Sequence, residues 1–140
     1  MINLVNLNKQ HTRIKEEVNL LESEIKKGIA DMNTSEVALH INYLAGQLKV
    51  HLLEEDEFLY PNLLRSADEE IKKMAREYLM EMGDLISKYT EFKSNYNIGN
   101  KINNNKEKFL IDVQIILKAL KDRITKEDNE LYHLIQDKNL

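Results

Sequence analysis

The sequence predicts an all-α protein, an up-down-up-down four-helix bundle, on three observations. Only four Gly and one Pro punctuate the 140 residues, so turns are few and elements are long. Four segments carry apolar residues at alternating steps of three and four, the period of a helix with one buried face, and none alternates as a strand would. The connections between them are short, so consecutive helices run antiparallel. The chain reads as one domain, 1–140, long enough to bury about two-thirds of its unfolded surface.

Helix one follows the stripe Leu4, Leu7, His11, Ile14, Val18, Leu21, Ile25 and stops near Gly28. Helix two follows Val37, Ile41, Leu44, Leu48, His51, Glu55, Phe58. Asn33 or Thr34 caps its start, with Glu36 completing a capping box, and it ends near Tyr60-Pro61 or within a turn after. Ser66 with Glu69 is a second capping box for helix three, whose stripe is Ile71, Met74, Tyr78, Met82, Leu85, Tyr89, Phe92. Six Asn and one Gly between Asn95 and Asn105 read as a polar loop. Helix four follows Phe109, Val113, Ile116, Leu120, Arg123, Glu127, Leu131, Leu134. Glu55-Asp-Glu-Phe-Leu-Tyr60 is echoed by Glu127-Asp-Asn-Glu-Leu-Tyr132 at an offset of 72, so the bundle reads as two helical hairpins of one design.

Composition excludes several classes of function. The net charge of -4 offers no basic excess for nucleic acid. The absence of Cys removes disulfides, zinc fingers, iron–sulfur clusters and thiol catalysis. No apolar run approaches the ~18 residues of a membrane span, and MINLVNLNKQH lacks the pattern of a signal peptide, so the expected location is cytoplasmic. Neither a Ser–His–Asp arrangement nor a Gly-rich phosphate loop is readable, and no residue is assigned a catalytic role.

Five residues are polar where the stripes should be greasy: His11, His51, Glu55, Arg123 and Glu127. His51 and Glu55 are four apart, as are Arg123 and Glu127, so each pair points inward from adjacent turns. At ~1.5 Å per residue, His11 and Glu55 lie roughly 10 Å from one end of the bundle, and His51 and Glu127 roughly 15 Å. These four share a layer; the same reckoning leaves the level of Arg123 and Met82 open. An unpaired buried carboxylate costs several kcal/mol and takes up a proton rather than stay charged. Two imidazoles and two carboxylates around one cavity are better satisfied by a bound metal cation. Mixed nitrogen and oxygen donors suit iron, manganese or zinc more than calcium. Taken alone, His51 with Glu55 reads equally as a buried hydrogen-bonded pair, and Arg123 with Glu127 as a structural ion pair.

These residues resemble the hemerythrin-like, or HHE cation-binding, family over essentially the whole chain. The resemblance rests on His11, on His51-Leu-Leu-Glu-Glu55 running into Leu-Tyr-Pro61, and on Arg123-Ile-Thr-Lys-Glu127 running into Leu-Tyr132. It implies a non-haem di-iron centre inside a four-helix bundle. His11 and His51 match the terminal ligands of one iron, and Glu55 and Glu127 the bridging carboxylates. The chain departs from the family pattern at the other iron: Met82 stands where helix three should offer His, and Arg123 where helix four should. Glu81, beside Met82, is the nearby residue able to substitute as a ligand. The resulting expectation is a metal-binding protein, most simply iron, with one ion on His11, His51, Glu55, Glu127 and Glu81 or a degenerate pair. Arg123 then replaces the charge of the second metal. The family's roles imply a small diatomic ligand and a part in sensing oxygen, nitric oxide or iron, or in stress response, rather than oxygen carriage. The alternative expectation is a metal-free helical scaffold that binds a partner, with Arg123 and Glu127 neutralising each other. Tyr60 and Tyr132 are expected near the bundle end, Met82 in the core, and Glu54, Asp56 and His133 at the surface. His40 is too far along helix two to join the site.

Overall fold

The computed structural model describes residues 2–140, and among them all regular structure is helical. Helix α1 spans Val5–Ile25 and α2 spans Thr34–Glu54. A single π turn, Glu55–Leu59, carries α2 into α3, Tyr60–Leu64. Helix α4 is the longest, Glu69–Tyr96. A one-turn helix, α5 (Gly99–Asn103), lies within the Asn-rich connection, where a loop was expected. Helix α6, Lys106–Lys126, passes through a second π turn, Glu127–Leu131, into α7, Tyr132–Asp137. Four long helical arms therefore form the bundle. The Asn-rich segment turns helical because Ile102 is fully buried and Gly99 lies close against Ser35, where a Cβ would stand 3.0 Å from the Ser35 hydroxyl.

The helix ends follow local chemistry, with two departures from expectation. Gly28, at φ 88°, supplies the left-handed residue after α1 that a side chain would resist. Asn33 caps α2 by accepting from the Glu36 N–H at 3.1 Å. Its own N–H donates to Glu24 rather than to Glu36, so the capping box is completed from α1. The cap of α4 is Asp68, which accepts from Glu70 and Ile71, and not Ser66. Ser66 instead accepts from the Asp68 N–H, one step outside the helix.

The π turns correct the stripes of the second and fourth arms. Each inserts one residue into the helical winding and rotates everything beyond it by about a quarter turn. After Glu55 the buried residue is Leu59, fully enclosed, whereas Phe58 is 63% exposed. Beyond Glu127 the core takes Leu131, Tyr132 and Ile135, and Leu134 is only partly buried. On α4, Ala75 replaces Met74 as the inward residue of the second turn.

A polar layer divides the core in two. Towards the α1–α2 loop lies one apolar cluster that includes Ile14, Leu48, Met82, Leu120 and Ile124. Towards the other end lies a second, with Leu7, Leu59, Tyr78 and Leu131 among its members. Every arm crosses from one cluster to the other at the level of His11, His51, Glu55, Arg123 and Glu127, and α4 crosses between Tyr78 and Met82.

Candidate metal centre

His11, His51, Glu55 and Glu127 arrive from three arms, and one ligand atom of each lies within 4.8 Å of all the others. All four are buried. His11 Nε2 and His51 Nε2 face each other at 3.0 Å. Glu127 Oε2 stands 3.5 Å from His11 Nε2 and 3.8 Å from His51 Nε2, and Glu55 Oε1 is in direct contact with His51 Nε2. Neither Glu55 oxygen receives a well-formed hydrogen bond.

The outer nitrogens of both rings are committed. His11 Nδ1 lies 2.7 Å from Asp128 Oδ1, a carboxylate that only accepts, so this nitrogen carries the proton. Lys15 holds the other oxygen of Asp128 at 2.9 Å. His51 Nδ1 donates to Gln10 Oε1 at 2.8 Å, and the Gln10 amide donates to Glu54 at 2.5 Å, which sets its orientation. In neutral rings each Nε2 then presents a bare lone pair, and the two lone pairs meet head on with two carboxylates beside them. A proton or a metal cation relieves this. A proton on one nitrogen serves one contact, whereas a metal ion serves all four donors. Outer partners that lock tautomer and ring angle are what ligating imidazoles require.

The protonation preferences follow from the same crowding. Burial alone would hold the His51 pKa down, but hydrogen bonds and charge from Glu127 and Glu55 push it up to about 9. Burial, and then the charge of Glu127, raise Glu55 above the usual carboxylate range. Glu127 is buried as deeply, yet the adjoining His11 and His51 imidazoles overcome the desolvation and hold it well below that range. The group thus stores a proton around His51 and Glu55 where a metal would sit.

On the far side of Glu127 lies Arg123, itself buried. Its Nε is 3.4 Å from Glu127 Oε1, Nη1 donates to Glu81 at 2.8 Å, and Nη2 donates to the Tyr78 carbonyl at 2.8 Å. The guanidinium also lies over the Tyr78 ring, 4.2 Å from its centre. Glu127 therefore turns one oxygen to the imidazoles and the other to Arg123. Glu81 lies outside the group of four, half exposed, with its carboxylate on Arg123 and Lys126. Met82 is packed in the apolar core.

Two tyrosines that the stripes place near the bundle end stand at the site instead. Tyr132 stacks on the His11 ring with centres 5.0 Å apart, and its hydroxyl donates to Glu127 Oε2 at 3.2 Å. Tyr60 lies beside Glu55, with a buried hydroxyl that makes no well-formed bond. Burial and the neighbouring carboxylates drive both phenols far up, so both stay protonated. Each lies five residues past a glutamate, which an α-helix would send to another face and a π turn keeps on the same one. The echo at an offset of 72 is the one trace of this in the sequence. Glu54 and Asp128, both half-buried, also serve the site as the outer partners of Gln10 and His11. His40 pairs with Glu17, a partly hidden carboxylate that the stripes miss, and takes no part in the site.

Fold and site together define a class, a helical bundle whose core carries a buried group of imidazoles and carboxylates able to hold a metal ion. The hemerythrin HHE cation-binding domain family matches residues 3–135, nearly the whole chain, and the chain belongs to that family. No curated protein and no solved structure matches. No helix among the described residues is long and apolar enough to cross a membrane.

Proposed function

We propose that the chain binds a single iron ion on His11, His51, Glu55 and Glu127, and that it senses oxygen, nitric oxide or iron, or serves in stress response, rather than carrying oxygen. The observation that carries this reading is the pair of Nε2 atoms 3.0 Å apart, each ring held through Nδ1 by a hydrogen-bond acceptor. Donors so arranged fit a metal that takes nitrogen and oxygen together, iron among them. Arg123 supports the count of one. It lies against the Glu127 oxygen that faces away from the imidazoles, and among the described residues the one group able to hold a metal is the four-residue set. Glu81 serves in this reading as the counter-ion of Arg123. Bound iron supplies one-electron chemistry and affinity for small diatomic ligands. The chain's part is to hold the ligand rings in one tautomer, to offer protonated Tyr60 and Tyr132 as donors, and to keep water out.

A metal-free scaffold is the second reading, favoured by the fact that Arg123 and a proton on His51 already offset both carboxylates. Metal content and the visible spectrum of protein expressed with added iron separate the two. One iron per chain, with a charge-transfer band that His51→Ala abolishes, supports the proposal. Two tightly held irons refute the single site, and metal-free protein after iron loading favours the scaffold.

A further inference from the structure

We infer that the outer face of α2 docks against the same face of a second copy of this chain, antiparallel, about a two-fold axis through Gly46. Helix α2 is unusual in being apolar on both sides. Its inner face holds Val37, Ile41, Leu44 and Leu48 in the core. Its outer face carries Leu39, Tyr43, Val50 and Leu53, each between 41% and 58% exposed. A helix that is greasy all round belongs between two layers, and within the chain α1, α4 and α5 cover only the inner side of α2.

The spacing of the outer stripe identifies the second partner. Leu39, Tyr43, Gly46, Val50 and Leu53 advance by four, three, four and three, the seam of a paired helix. The stripe is also close to a palindrome about Gly46. In an antiparallel pair Leu39 meets Leu53 of the other copy, Tyr43 meets Val50, and Gly46 meets Gly46. Self-complementarity of this kind is what a two-fold interface requires. Nothing among the described residues demands a glycine at position 46, since a Cβ there would meet none of their atoms within 4 Å. Mid-helix glycine is otherwise unfavourable, and a close crossing of two helices makes use of it.

The surroundings agree in shape and charge. A groove of about 320 Å³ runs along one side of the stripe, walled by Gln10, Tyr43, Gly46, Gln47 and Val50, with Arg13 at its edge. A second, of about 400 Å³, runs along the other side, lined by Leu48, Leu52 and Leu53 and by the charged Lys49, Asp56 and Lys93. The ridge of one copy can enter the groove of the other. From Leu39 to Leu53 the only exposed charge on this helix is Lys49. The exposed ridges of α4 and α6, by contrast, are interrupted by ion pairs such as Asp84–Lys88 and Lys118–Asp122. The stripe exposes roughly 400 Å² of residue surface per copy, within the range of the largest apolar patch on a monomer, a patch that is often functional. Two copies meeting along the stripe bury about 800 Å², so the groove walls must join to reach the ~1,000 Å² of a specific interface, and the dimer is a weak, concentration-dependent one.

The inference is independent of what the inner face of α2 holds, and it is tested without reference to metal. Sedimentation of the full chain at about 100 µM should give twice 16.5 kDa, with dissociation on dilution. Val50→Glu should weaken the dimer roughly thirtyfold or more while leaving helical circular dichroism unchanged. The chain has no cysteine, so introduced ones report contacts cleanly. A mixture of Leu39→Cys and Leu53→Cys proteins should cross-link under mild oxidant, and Ile111→Cys, on the exposed face of α6, should not. A wild-type monomer at every concentration overturns the inference. So does a dimer indifferent to Val50→Glu, or one that cross-links through Ile111→Cys.

Discussion

Arg123→Leu tests whether a guanidinium holds the place of a second cation. The substitution keeps an apolar side chain of moderate size in the core and removes the charge. In the metal-free protein it strips Glu127 Oε1 of the guanidinium 3.4 Å away, while the carboxylate stays fully buried. It also removes the donor to the Tyr78 carbonyl and the cation over the Tyr78 ring. Removing one partner of a buried pair costs about 3–5 kcal/mol, because the surviving charge is left uncompensated. In a chain of this size that lowers the melting temperature by roughly 10–15 °C. The assay is urea denaturation in the presence of a chelator. Adding Glu127→Gln to the same protein should recover part of the loss, since it leaves no charge behind. A cost below about 1 kcal/mol for Arg123→Leu alone, or no recovery in the double variant, would refute the reasoning.

Four further outcomes are expected. The raised pKa of His51 means that the metal-free fold binds a proton which the unfolded chain releases near 6.5, so its stability should fall as pH rises from about 6.5 to about 9; chelator-treated protein melted across that range should show this slope. A metal must displace the same proton, so its affinity should climb about tenfold per pH unit and level off above about 9, as read by competition titration. Asp128→Asn, which replaces the acceptor on His11 Nδ1 with an amide, should weaken metal binding about 10–100-fold with little change in melting temperature. Asp68→Ala should cost about 1 kcal/mol in chemical denaturation and Ser66→Ala clearly less, because Asp68 receives the first N–H groups of α4.

The amino-acid sequence by itself determined the four long helices and the inward set of polar residues. Period and four-residue spacing are local properties, and one helix turn suffices to put His51 and Glu55 on the same face. Family membership was legible for the same reason, since His51-x-x-x-Glu55 running into Leu-Tyr-Pro is a continuous stretch of chain. Tertiary structure alone decided where a helix departs from its own period. The π turns at Glu55 and Glu127 expel Phe58, bury Leu59, and bring Tyr60 and Tyr132 to the site, and no propensity of single residues encodes that extra step. It also decided the cross-chain partners. Asp128 finds His11 117 positions away, Gln10 finds His51 across 41, and Arg123 finds Glu81 across 42. Such contacts depend on the rotation and level of neighbouring helices, which packing of the two apolar clusters sets and which no single helix contains.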